Sequence, residues 1–353
     1  MADIKVTAAD FRQQLLADYR LACMSREASL LGRKEVLGGK AKFGIFGDGK
    51  ELAQIALSKV LKPGDWRSGY YRDQTLMMAQ GLLTVKQFFA ALYADTDPVH
   101  EPSSAGRQMG GHFATRFLND DGSWMDQTTQ FNSSADISPT AGQMPRLLGL
   151  AQASKLYRSL PEVTKLKSNF TEGGNEIAVG TIGDASTSEG PFWETMNAAC
   201  VLQVPMLMNV WDDGYGISVP KEFQTTKASI SEALRGMEIE SGTNGMVIYK
   251  VNGWDYPALV ATYEAAEQQC RADHVPVLVH VEEVTQPQGH STSGSHERYK
   301  SAERMAWAKE YDCIEQFGLF LILEGAATAD QLDGIRKEKK EEVRQFQKEA
   351  WAE

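Results

Sequence analysis

The stretch that decides the fold is Gly183–Gly216, GDASTSEGPFWETMNAACVLQVPMLMNVWDDGYG. It places two candidate metal ligands, Asp184 and Asp213, 29 positions apart (213 − 184). Each follows an apolar run of strand character, Ile177–Ile182 before the first and Val204–Val210 before the second. Between them, Phe192–Leu202 has the length and composition of a crossover helix. Parallel strands joined in this way present their C-terminal ends on one sheet edge, and open α/β sheets bind ligands at that edge. Two hard oxygen ligands beside a Gly- and Ser-rich turn suit Mg2+ holding a diphosphate. The pair alone fits equally well a βαβ unit in which each aspartate only caps a turn or helix.

The flanking sequence extends this pattern. Met246–Val251 and Val275–Val281 read as further strands, with a helix over Asp255–Ala272 between them. Alternating strands and helices argue for an α/β fold, a parallel sheet flanked by helices. Upstream, helices are expected over Asp10–Leu31, Glu51–Val60, most of Leu76–Tyr93 and Gly142–Leu156. Asp95–Ser138 reads as a long polar loop, which in a compact chain is usually functional or disordered. Arg158–Asn175 reads as a surface excursion, and Arg336–Glu349 as a solvated helix carrying both charge signs. The expectation is one domain over residues 1–353, with an N-terminal helix and a C-terminal helical extension.

Composition narrows the function classes. At 353 residues and 42% hydrophobic, the chain is long enough for a large core. A formal net charge of −11 argues against nucleic-acid binding, which needs a basic face. No apolar run reaches membrane-helix length, and MADIKVTAADFRQQ lacks the apolar core of a signal peptide. Four scattered cysteines without a CxxC read as reduced thiols, consistent with a cytoplasmic setting.

The central motif resembles the thiamine-diphosphate motif, and more closely the alpha subunits of 2-oxoacid dehydrogenases, which read roughly GDGA…EG and then NNxYGIS. Here the matching residues are Gly183-Asp184-Ala185, Glu189-Gly190 and Asp212-Asp213-Gly214-Tyr215-Gly216-Ile217-Ser218. Ala185 stands for a glycine, and the Asn pair is an Asp pair. Four other segments follow in the family's order. Tyr71-Arg72 corresponds to a Tyr-Arg pair whose Arg contacts the diphosphate, a role suited to its planar fork of donors. Gly106-Arg107-Gln108-Met109, with His112 after it, is similar to the GRQMPxH signature of branched-chain members. Ser138-Pro139-Thr140 resembles the Ser-Pro-Leu that holds the aminopyrimidine ring. Gly289-His290-Ser291-Thr292-Ser293 is similar to the GHSxS loop, whose His reaches the diphosphate and the reacting centre. Some members are phosphorylated at the position of Ser291. Three further departures are Gln286 for an Arg, Gly294 for an Asp, and Trp211 for a residue that is Arg in some members.

The resemblance, running from about Tyr19 to about Arg344, implies a thiamine-diphosphate-binding fold. It implies oxidative decarboxylation of a 2-oxo acid, branched-chain or pyruvate, with acyl transfer to a lipoyl-bearing acyltransferase. The cofactors would be thiamine diphosphate and Mg2+. Metal ligands would be Asp184, Asp213 and Tyr215. Cofactor contacts would come from Tyr71, Arg72, Ser138, Thr140, Gly183, Asp184, Ala185, Ser186, Asp213, Tyr215 and His290. His290 and His112 would be catalytic. The alpha-type chain would need a beta subunit, or a fused beta half, which supplies a Glu to the aminopyrimidine in an α2β2 assembly. Other classes weighed against this are a non-catalytic paralogue kept for assembly, which the departures favour, and a transketolase-like enzyme, which would need more than the six His present for sugar phosphates. A magnesium phosphotransferase with Asp184 as nucleophile would want a carboxylate where Ser186 stands.

Overall fold

The computed structural model describes residues 8–166 and 168–353. The first seven residues of the stretch read for a signal peptide lie before that span, and Lys167 of the expected excursion falls outside it. Eight strands are β1 (Trp66–Ser68), β2 (Asn132–Ser133), β3 (Ala178–Gly183), β4 (Met206–Trp211), β5 (Tyr215–Gly216), β6 (Val219–Pro220), β7 (Val247–Asn252) and β8 (Val277–Glu282). The helices are α1 (Ala8–Leu37), α2 (Glu51–Val60), α3 (Gln74–Ala79), α4 (Val85–Tyr93), α5 (Met144–Ser159), α6 (Pro161–Leu166), α7 (Gly190–Leu202), α8 (Ile230–Leu234), α9 (Tyr256–Asp273), α10 (Ala302–Glu310), α11 (Cys313–Leu323) and α12 (Ala329–Ala352).

Six strands form one wholly parallel sheet in the order β2-β1-β3-β4-β8-β7. The strands read from sequence are present, but the last two enter in reverse order. β8 pairs with β4, and β7 takes the edge. Both faces are covered, as a parallel sheet requires. Val179, Leu207, Val277 and Val279 pack toward α2, α9 and α11, whereas Ala178, Met206, Met208 and Leu278 pack toward α5 and α7. Gly180 admits α5 to this face, because a Cβ there would lie 2.2 Å from Leu147. All four cysteines are free and buried. No described helix is long and apolar enough to cross a membrane.

Two expectations change. The polar stretch before Ser138 contributes β2, and β1 precedes Tyr71-Arg72. Neither was legible, since strands of three and two residues hold no periodicity. Nor is the C-terminal helix merely solvated. α12 runs 24 residues and buries Leu332, Ile335, Val343 and Ala350 against α1 and α4. Its charges sit on the opposite face and hid that stripe from a reading by charge.

β1 is anchored by charge. Arg67 is fully buried and donates to Asp73 Oδ2 at 2.6 and 2.8 Å, and to Asp136 at 3.0 and 3.1 Å. It also donates to the Tyr70 carbonyl at 3.1 Å, and Thr181 of β3 donates to Asp73. The network ties β1, the Tyr70–Asp73 turn and the Ser134–Asp136 segment to the sheet. Removing one partner leaves buried carboxylates uncompensated. Arg67→Met is expected to lower the unfolding free energy by about 3–5 kcal/mol in urea melts; a loss within about 1 kcal/mol would contradict this role.

Candidate active site

The edge formed by the C-terminal ends of β3 and β4 opens into a cavity of about 320 Å³, within the range of small-molecule sites. The register sets its floor. Gly183 lies opposite Trp211, and the Asp184 N–H donates to the Trp211 carbonyl at 3.1 Å. Asp184 and Asp213 therefore enter the same cavity. Of the residues singled out from sequence, Tyr71, Arg72, Thr140, Gly183, Asp184, Ala185, Ser186, Asp213, Tyr215 and His290 all line it.

Asp184 is 6% exposed, and its Oδ2 is buried without a hydrogen-bond partner. Burial, then the nearby Asp213 and Asp212 charges, push its carboxyl well above the usual carboxylate range. Such a group is expensive unless a cation faces it. Asp213 accepts from the Tyr215 N–H at 3.1 Å through Oδ1, and its carbonyl accepts from Arg304 at 2.9 Å. The residues present thus fit a divalent cation at Asp184 and Asp213, with Tyr215 beside them.

Asp212 does different work. It accepts from Gly214 N–H at 2.8 Å, Lys221 at 2.7 Å and His280 Nε2 at 3.0 Å. Burial raises its carboxyl, but the bonds to His280 and Lys221 outweigh that and hold it at about 2. Asp212, His280 and Glu282 lie close enough together to resemble a metal site. The hydrogen bonds already made by Asp212 mark it instead as the anchor that fixes the Asp212–Tyr215 turn.

The cationic wall faces this pair. Arg72 is buried and donates to the Phe46 carbonyl at 2.7 Å, and to the His290 carbonyl and Nδ1 at 2.9 and 3.1 Å. Because a guanidinium only donates, His290 Nδ1 accepts, and the imidazole proton resides on Nε2 as a donor for an anion. Burial, with Arg72 next, pulls this imidazole down to about 4. The Arg72 guanidinium lies 5.3 Å from the Tyr71 ring centroid.

His112 and Ser138 are placed differently. Neither lines the cavity; they bond to each other, His112 Nε2 to Ser138 Oγ at 2.9 Å. His112 Nδ1 lies 3.0 Å from the Met109 carbonyl, so it carries the proton and the Ser138 hydroxyl donates to Nε2. The pair links the long loop to the Ser138–Thr140 segment at the cavity rim, and Thr140 alone of that segment reaches the wall. Ser291 is buried, its carbonyl held by Arg33 at 2.7 Å and its hydroxyl 2.7 Å from Ser293. Residues that sequence reading missed also line the cavity, notably Lys50, Tyr70 and Gln224. Lys50 sits in a Gly-rich connection with no motif around it, and only proximity to Asp213 in space marks it. The buried Tyr70 hydroxyl and Trp211 Nε1 on this wall have no hydrogen-bond partner.

The fold is an α/β chain with a parallel sheet whose C-terminal edge carries a cavity lined by carboxylates on one side and cationic groups on the other. Residues 19–353 match the family model described as dehydrogenase E1 component, and the chain belongs to that family. It is 26% identical over 314 residues to the 2-oxoisovalerate dehydrogenase subunit alpha of Bacillus subtilis, covering 88% of this chain and 82% of that protein. It is 26% identical over 316 residues to the mitochondrial 2-oxoisovalerate dehydrogenase subunit alpha 2 of Arabidopsis thaliana, covering 88% of this chain and 58% of that longer protein. It is also 26% identical over 322 residues to the pyruvate dehydrogenase E1 component subunit alpha of Acholeplasma laidlawii, covering 89% and 77%.

The His290 geometry has a measurable sign. A histidine whose folded value lies below the ordinary 6.5 favours the neutral form, so its contribution is intact above about 6.5 and is lost as pH falls toward about 4. The His290 ring is expected to stay neutral at pH 6 in an NMR titration, and His290→Asn to lessen the loss of stability between those limits. A ring titrating near 6.5 would contradict the Arg72–His290 arrangement.

Proposed function

We propose that this chain is the diphosphate-holding alpha subunit of a thiamine-diphosphate-dependent 2-oxoacid dehydrogenase, with Mg2+ bound between Asp184 and Asp213. The observation that carries the reading is the unpartnered, buried Asp184 oxygen in a cavity shared with a second carboxylate and faced by Arg72 and Lys50. Family membership supplies the class of enzyme. When bound, thiamine diphosphate supplies the electron sink for loss of CO2 from a 2-oxo acid.

This chain's residues grip and orient. Asp184, Asp213 and Tyr215 hold the cation. Arg72 and the Nε2–H of His290 donate to phosphate oxygens. Gly183, Ala185 and Ser186 form the turn beneath, and Tyr71 and Trp211 close the wall. Ser138 and Thr140 place the rim against the cofactor's ring, and His112 positions Ser138. Among the described residues lining the cavity there is no glutamate. By the resemblance, the carboxylate that acts on the aminopyrimidine would come from a beta-type partner, in an α2β2 assembly or as a fused beta half.

The substrate side chain is the finer point. Identity is 26% to both branched-chain and pyruvate relatives and so does not choose between them. The Gly106–Met109 segment favours branched-chain acids, with the acyl group passing to the lipoyl arm of an acyltransferase in the cytoplasm. The test is reconstitution with a beta partner, reading CO2 release from 2-oxoisovalerate and from pyruvate. Turnover is expected to need the partner, thiamine diphosphate and Mg2+, to favour the branched-chain acid, and to fall about 100-fold or more in Asp184→Asn. Turnover that resists metal removal would contradict the site. Cofactor binding without CO2 release from either acid would make the chain an assembly subunit.

A further inference from the structure

We propose that Lys50 is a direct ligand of the cofactor's diphosphate and supplies the cation that this chain lacks at position 286. The inference rests on the thiamine-diphosphate reading of the cavity and deepens it.

Lys50 is 2% exposed, yet it lines the cavity. Its amine makes a single long hydrogen bond, 3.3 Å to the neutral Gln286 Oε1, and it belongs to no ion pair within 4.0 Å among the described residues. A buried ammonium has three donors to satisfy, and leaving it without an anion costs stability. Nothing about α2 requires it, for Lys50 stands at the N-terminal cap of that helix and makes no capping bond with its side chain. A lysine is in fact poorly placed there, since the N-terminal end of a helix disfavours positive charge. The backbone nevertheless presses it into place. Gly49 has φ +89°, and a Cβ there would lie 1.9 Å from the Thr285 carbonyl oxygen, so this loop can approach the Thr285–Gln286 segment only with glycine before the lysine.

The charge balance of the cavity points the same way. The sequence resemblance expects Arg where Gln286 stands and, in some members, where Trp211 stands, and it expects a neutral Asn where Asp213 adds a negative charge. The wall has therefore lost positive charge and gained negative. Arg72 already spends donors on Phe46 and His290. Lys50 touches the residue that replaced the arginine, and Asp213 is the largest of the charges favouring its protonated form. Burial lowers the amine to about 8, so it still carries its charge at pH 7. A cation displaced from position 286 to position 50 restores the field that a diphosphate needs, by a residue drawn from another loop.

The test is calorimetric titration of the chain assembled with its beta-type partner, with thiamine diphosphate and with inorganic pyrophosphate, each with Mg2+. Lys50→Met is expected to weaken both by about tenfold or more, the loss typical of a charged hydrogen bond. Lys50→Arg keeps the charge and is expected to stay within about threefold of wild type. Lys50→Gln retains a polar partner for Gln286 without charge and, should the Met variant fail to fold, is expected to show the same loss of about tenfold or more. Wild-type affinity in the Met or Gln variant overturns the role of Lys50 and leaves the cofactor reading standing. A wild-type assembly that binds neither ligand overturns both.

Discussion

Two carboxylates held side by side at the ends of adjacent parallel strands are the constraint around which this structure is organised. The pairing of Gly183 with Trp211 fixes how far each strand runs, so Asp184 and Asp213 meet in one cavity. Like charges brought together away from water repel, and burial adds to the cost. The rise of the Asp184 carboxyl and its unpartnered oxygen are two expressions of that cost. The proposed divalent cation would remove it, and would couple to an anion on the facing wall, where Arg72, His290 and Lys50 gather.

The surroundings keep that arrangement from relaxing. Asp212 is saturated by Gly214, Lys221 and His280, so the turn carrying Asp213 cannot swing away without breaking a buried network. On the other side, Arg67 clamps Asp73 and Asp136, and thereby fixes the backbone from which Tyr71 and Arg72 reach the cavity. Buried ion pairs of this type contribute little net stability compared with apolar packing. Their value here is positional, since each holds one edge of the binding wall at a fixed distance from the sheet.

Much of this was legible in the chain. Long apolar runs such as Val204–Val210, joined by helix-length segments, gave β3, α7 and β4, because burial on both faces of a parallel sheet imposes continuous hydrophobicity. Motif order carried ten of the cavity residues. What escaped has physical reasons. β1 and β2 are too short for a pattern and carry the polar Arg67 and Asn132, whose burial depends in part on partners distant in sequence, Asp136 for Arg67 and the Gly64 carbonyl for Asn132. The partnership of His112 with Ser138 spans 26 positions and cannot be read from either segment. Lys50 looked like an ordinary charged residue before a helix, and only the close approach permitted by Gly49 makes it part of the site. α12 concealed a narrow apolar stripe under many charges.

The central claim is that the carboxylates of Asp184 and Asp213 share one cation. Crystals grown with thiamine diphosphate and Mn2+ in place of Mg2+ test it directly, because anomalous scattering locates the metal independently of any interpretation of the surrounding density. The expected result is a single strong peak coordinated by both carboxylates and by a diphosphate oxygen. A peak at the Asp212–His280–Glu282 cluster instead, or bound diphosphate with no metal between Asp184 and Asp213, would contradict it.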